Sequence, residues 1–198
     1  LDAPSYDQEL LVIREDGTHH IENTWAGGPN ALVCAVRALD YVRRNNRYLE
    51  EIGTAPDGCY LDVFSVVPGD ECYHPEHRMS RTECYKYRRQ CFDYIRSHWG
   101  LVSSEEPVDW AVRTLHLTHH APWAKDSEGN TFGIPIPLFT LVYHDAIVTP
   151  FETGRKRGSY YYAATEIPFL HALISAGMPY LSEDAVAEDV AAANVVAE

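Results

Sequence analysis

Apolar residues in this chain come in short runs separated by Gly, Pro and charged turns, and two spacings alternate among them. Residues 10–13 (Leu-Leu-Val-Ile) form a four-residue run that predicts a strand, closed by the turn signal Glu15-Asp16-Gly17-Thr18. Residues 25–30 predict a loop headed by Trp25. From 31 to about 51, Leu32, Val36, Leu39, Val42 and Leu49 fall on one face at helical spacing, and Gly53 and Pro56 end the segment. Residues 59–64 (Cys-Tyr-Leu-Asp-Val-Phe) predict a buried strand. A polar loop follows, and Ser80 with Glu83 three residues on predicts a capping box. The helix it opens runs to about 98, with Cys84, Tyr87, Cys91, Tyr94 and Ile95 inward, and Gly100 ends it.

Residues 100–106 predict a further strand, and Pro107 opens a predicted helix to about 116. After a polar loop over 118–132, the apolar run 137–143 predicts a strand ending at His144-Asp145. A helix over 159–176 and a short strand at 178–181 complete the pattern. Strands near 10, 60, 101, 138 and 178, the last four separated by helices, predict a parallel sheet with right-handed crossovers. The expected class is α/β, a (β/α)8 TIM-type barrel. A closed barrel of that kind needs eight strands and typically ~250 residues. The 198 residues are therefore expected to supply about strands 3–7, the C-terminal half or so, and the rest of its own barrel becomes an expected partner. The expected division is a partial barrel catalytic domain over 1–181 and an acidic Ala/Val-rich tail over 182–198.

The formal charge of −13 changes the picture by exclusion. Nucleic acid and anionic membranes both call for a basic surface, so neither is an expected partner. A neutral carbohydrate is compatible with this charge. No apolar run reaches the ~20 residues of a membrane-spanning helix. The five cysteines are odd in number and lack CxxC spacing, which argues against a disulfide framework and a zinc ribbon. Free buried thiols lean towards a reducing, cytoplasmic setting, although localisation stays open.

The chemistry sits at strand ends. Asp62 and Glu105 each close an apolar run, with a helix between. Glycosidic cleavage needs one carboxylate at the anomeric carbon and one protonated carboxyl at the leaving oxygen. Asp62 is the expected nucleophile and Glu105 the expected acid/base. Neighbouring residues on a strand point opposite ways, so Glu106 is the alternative. The segment 71–81 is rich in groups that hold sugar hydroxyls, and His74, His77, Arg78 and Arg81 are expected to bind substrate. His144 and Asp145 are expected to do so from a third strand end, and Trp25 to stack on a sugar ring; Trp110 and Trp123 are further stacking candidates. No organic cofactor and no metal is implied. Two rivals stand. One is a metal-dependent hydrolase using His116, His119, His120, His144 and Asp145, although the segment lacks an HExxH glutamate. The other is a carbohydrate-binding barrel module without turnover.

Tyr60-Leu61-Asp62-Val63, the segment 71–78, Ser103-Ser104-Glu105 and the stretch 137–145 resemble the catalytic half of bacterial glycoside hydrolases of the endo-α-N-acetylgalactosaminidase family and its barrel relatives, over about residues 20–180. The resemblance implies a (β/α)8 barrel and a retaining mechanism, with an Asp nucleophile after strand four and a Glu acid/base after strand five. Those positions correspond to Asp62 and Glu105, with the strand ending at Tyr143 as the sixth and that near Pro179 as the seventh. The implied substrate is an α-linked bacterial or host glycan.

Overall fold

The computed structural model describes residues 8–25, 27–119, 138–152, 177–180 and 191. Its contacts divide the chain into two compact units, one made of residues 1–57 and 67–99, the other of 58–66 and 100–198. The predicted helix over 159–176 and nearly all of the tail over 182–198 lie outside the described residues.

The first unit opens with an irregular segment rather than the strand expected at 10–13. Gln8–Leu10 is a short 3-10 helix, and single bridges join Leu11 to Val33 and Ile13 to His19. The expected loop at 25–30 is instead part of an antiparallel hairpin, β1 (Ile21–Trp25) and β2 (Gly28–Ala31), in which Trp25 pairs with Gly28. Polar residues on both strands, such as Glu22, Asn23 and Asn30, hid that hairpin from an apolar-pattern reading.

Helix α1 (Ala35–Glu51) starts four residues later than the periodicity suggests, with Cys34 at its N-cap. The expected inner face is only half-buried, and Ala35, Ala38 and Asn46 are the buried positions. Gly53, at φ +80°, ends the helix, and the Thr54 N–H reaches back to the Leu49 carbonyl at 2.9 Å. Helix α2 (Arg81–Trp99) follows its prediction closely. The Ser80 hydroxyl and N–H meet Glu83 Oε2 at 2.7 and 2.9 Å, and the Glu83 N–H returns to Ser80 Oγ at 3.4 Å. The bond from the Ser80 N–H, then that from its hydroxyl, hold the Glu83 carboxyl below its ordinary value. Cys84, Arg88, Cys91, Phe92 and Ile95 form the buried stripe of α2. Arg88 is buried because its guanidinium donates to the Val67 and Pro68 carbonyls. α1 packs on α2, with Asn46 Nδ2 donating to the Tyr94 hydroxyl at 3.2 Å. Val12, Cys34, Ala35, Cys72, Met79 and Cys84 make the unit's core cluster.

The second unit is a run of parallel ladders. β3 (Gly58–Leu61), β4 (Leu101–Ser104) and β5 (Leu117–Thr118) pair in chain order. A parallel bridge continues from Leu117 to Val148, and β6 (Pro150–Glu152) pairs in parallel with β7 (Met178–Tyr180). Parallel pairing in chain order matches the expected α/β class. Two elements differ from expectation. The predicted helix at 107–116 is a single 3-10 turn, Asp109–Ala111, followed by turns. β5 begins at Leu117, so only a short connection remains between parallel neighbours. The predicted strand at 137–143 is helix α3 (Leu138–Tyr143). A short apolar run suits a strand or a helix equally by periodicity, and here the i to i−4 bonds prevail, including the His144 N–H to the Thr140 carbonyl at 2.9 Å.

Gly58 sets the closeness of β3 to β4. A Cβ built there would lie 2.7 Å from the Leu101 Cβ and 3.1 Å from the Leu101 carbonyl oxygen. Gly58→Ala is therefore expected to push the two strands apart and lower unfolding stability by about 1–3 kcal/mol, read by urea denaturation.

Candidate active site

The register of the central sheet places the carboxylates. Tyr60 pairs with Ser103, and Leu61 with Ser104; Ser103 pairs with Leu117, and Ser104 with Thr118. The next residue on each strand is Asp62, Glu105 and His119. Side chains alternate along a strand, so these three continue the row of Tyr60, Ser103 and Leu117. The contacts agree with that parity. The Tyr60 hydroxyl donates to Asp62 Oδ1 at 3.0 Å. The Tyr60 and His119 rings lie 4.0 Å apart between centroids, and His119 Nε2 is 3.3 Å from Ser103 Oγ. The His119 N–H is shared between the Ser104 and Glu105 carbonyls, at 2.9 Å each.

The opposite parity supplies the tie between strand ends. Ser104 is fully buried, and its hydroxyl donates to the Leu61 carbonyl at 2.6 Å while accepting the Ser65 N–H at 3.0 Å. One side chain thus fastens the residue before Asp62 and the turn after it to the residue before Glu105. Within that turn Val63 adopts φ +57°, a left-handed conformation that a β-branched residue rarely takes. Such strain is held only where surrounding structure imposes it, and it often marks a functional position. The surroundings of Asp62 differ from the buried strand expected: Asp62 and Val63 are exposed and β3 is only partly buried.

The other candidates are dispersed. His144 and Asp145 are exposed and follow helix α3 rather than a strand, which corrects their expected position; His144 Nδ1 donates to the Thr140 carbonyl at 3.0 Å. In the first unit, Arg78 sits over the Tyr73 ring at 5.4 Å, and Arg81 pairs with Glu71 at 3.9 Å. A hollow of about 360 Å³ there is lined by Glu71, Tyr73, Arg78 and Glu83, among others. His74 stacks on His77 at 4.0 Å and approaches Glu9 Oε2 at 3.3 Å. His77 is 3% exposed, with its ring nitrogens facing the Glu9 carbonyl and Cys72. Trp25 ends β1, Trp110 lies in the 3-10 turn, and Trp123 lies outside the described residues.

The rival chemistries find little support among the described residues. His116 Nδ1 accepts the Val102 N–H at 3.2 Å, and His116, His119, His144 and Asp145 form no metal-sized group; His120 lies outside the described residues. Burial pushes the Cys34 and Cys91 thiols up to about 12 and raises Cys59, the reverse of what a nucleophilic thiol needs. Tyr60, Ser104 and His119 flank the carboxylate row without having been assigned to it by sequence reasoning, which weighed His119 only as a metal ligand. The available signal was their nearness to the ends of three short runs, Tyr60 one residue before the last paired level, Ser104 at it and His119 one residue after it.

Neither a protein-family profile nor a curated protein sequence matches the chain. Solved structures do. Ligand-free α-N-acetylgalactosaminidase NagBb from Bifidobacterium bifidum aligns with a TM-score of 0.85 at 42% identity, covering 98% of this chain and 32% of that one. The GalNAc complex of the same enzyme aligns with a TM-score of 0.84 at 39% identity, covering 100% of this chain and 33% of that one. Its Gal-NHAc-DNJ complex gives a TM-score of 0.86 at 39% identity over the same shares. The chain thus spans about a third of the length of these structures. The likeness supports a relationship to a glycoside hydrolase and, at that coarse level, glycosidase chemistry. Among the described residues no helix is long and apolar enough to cross a membrane.

Ser104→Ala leaves the Leu61 carbonyl and the Ser65 N–H without their shared partner. It is expected to cost about 1–3 kcal/mol of stability, read by urea denaturation.

Proposed function

We propose that this chain carries the catalytic carboxylates of a retaining glycoside hydrolase acting on α-linked N-acetylgalactosamine. The observation that carries the reading is the common register of Asp62 and Glu105, each following directly on the paired residues Leu61 and Ser104. Neighbouring strands lie ~4.8 Å apart. That spacing suits the ~5–5.5 Å between carboxyl groups in retaining enzymes better than the ~6.5–9.5 Å that leaves room for water in inverting ones. The choice of sugar is supported by the name of the similar enzyme and by its GalNAc complex.

In this reading Asp62 attacks the anomeric carbon and forms a glycosyl ester as the exocyclic C–O bond breaks. Glu105 gives its proton to the departing oxygen, then takes one from the water that cleaves the ester. The Tyr60 hydroxyl orients Asp62 through the oxygen it touches. The His119 N–H, bound to the Glu105 carbonyl, fixes the backbone from which the acid/base extends. The parallel ladders in chain order are consecutive members of a (β/α)8 barrel, whose other strands come from outside these 198 residues. Of the sugar-binding candidates, His74, Arg78, Arg81, His144, Asp145 and Trp25 stay open to test.

Asp62→Asn and Glu105→Gln in the natural full-length protein should each lower kcat by at least about 10²–10⁴-fold, with KM changed far less. Azide should partly rescue Asp62→Gly and yield a glycosyl azide of inverted configuration. Activity within about tenfold of the unsubstituted protein would remove the substituted residue from the mechanism. Unchanged binding of GalNAc by a protein without turnover on any α- or β-glycoside would point to the non-catalytic module instead.

A further inference from the structure

The first unit brings together a second set of reactive side chains, which the two-carboxylate chemistry does not use. Cys34, Cys72 and His77 each offer one donor atom, and the three atoms lie within 4.8 Å of one another. All three residues are buried, at 0, 1 and 3% exposure. Cys34 caps the start of α1, whereas Cys72 and His77 belong to the loop before α2. That loop is closed on itself by mutual backbone bonds between Cys72 and Met79, at 2.8 and 3.0 Å.

Two thiols and an imidazole are donors of the kind a soft metal ion takes. His77 Nε2 lies 2.7 Å from the Glu9 carbonyl, which can only accept, so Nε2 carries the proton. The lone pair is therefore on Nδ1, which sits 3.4 Å from Cys72 Sγ. In a tetrahedral zinc site with Zn–S ~2.3 Å and Zn–N ~2.0–2.1 Å, the S···N edge is about 3.6 Å. The Ile13 N–H donates to Cys72 Sγ at 3.5 Å, the kind of outer bond that supports a ligating thiolate. Cys84, 1% exposed, lies in the same core cluster.

We propose that Cys34, Cys72 and His77 hold a structural Zn²⁺ ion through two thiolates and the His77 Nδ1. Each ligating thiol gives its proton to solvent on binding, and nothing is oxidised or reduced. The ion fastens the 72–79 loop to the start of α1, two segments of the same unit that are far apart in sequence. The absence of CxxC spacing is no obstacle, because the fold rather than a short knuckle brings the donors together.

The test uses the natural full-length protein, purified without an affinity tag and without added metal. Metal analysis and native mass spectrometry should find about one zinc per chain surviving gel filtration. A chelator should lower the unfolding midpoint, and zinc should restore it. Replacement by Co²⁺ should give the visible bands of a tetrahedral cobalt thiolate, read on the unsubstituted protein so that no variant need fold. Cys72→Ser, if it folds, should lose both the zinc and the cobalt bands. Less than about a tenth of an equivalent of zinc, with a midpoint indifferent to chelator and zinc, would overturn the proposal. So would a Cys34–Cys72 disulfide in the intact mass. Glycosidase activity is not the readout, so the two proposals fail or stand separately.

Discussion

Parallel, in-register pairing of Gly58–Leu61 with Leu101–Ser104 is the constraint on which the candidate site depends. A parallel ladder fixes which residues lie level with one another, and a slip by one position would turn every side chain to the other face. With this register, Asp62 and Glu105 leave their strands at the same level and with the same parity. Close contact at Gly58 and the Ser104 hydroxyl at the other end hold the ladder at both limits. Backbone bonds and one buried hydroxyl bring the two acids level.

The partner shown for the Asp62 carboxylate is an uncharged phenol hydroxyl. The Tyr60 hydroxyl touches Asp62, and the Ser103 hydroxyl and the His119 imidazole lie on the same row, in a chain of net charge −13. Such a partner orients a carboxylate without neutralising it, as the proposed role of Asp62 as nucleophile requires. The strained turn at Val63 fits the same logic. The chain leaves the ladder abruptly after Asp62, and the Ser65 N–H is captured by Ser104 three residues later.

Legibility from sequence followed the strength of the local signals. The capping box at Ser80, the stripe of α2 and the two apolar runs that became β3 and β4 each carried a mechanism of their own, and each is found close to where the pattern put it. The run at 138–143 carried only hydrophobicity, which does not separate strand from helix over so few residues, and its strand assignment failed together with the strand-end position of His144 and Asp145. The hairpin β1–β2 was missed because its residues are polar on both faces. His119 was noticed only for its distance from other histidines, because a two-residue strand leaves no periodicity to read. The Cys34, Cys72 and His77 cluster was illegible for a different reason. Its members meet only after α1 and the following loop have folded, and no local spacing encodes that meeting.

The stereochemical course of the reaction bears most directly on the claim that Asp62 and Glu105 act as a pair one strand spacing apart. An aryl α-N-acetylgalactosaminide can be hydrolysed by the natural full-length protein while proton NMR follows the anomeric signal before mutarotation. Attack by a carboxylate followed by water delivers the α-anomer of N-acetylgalactosamine first, and that is the result this account predicts. First appearance of the β-anomer would contradict it, because a single displacement by water needs carboxyl groups farther apart than neighbouring strand ends place them.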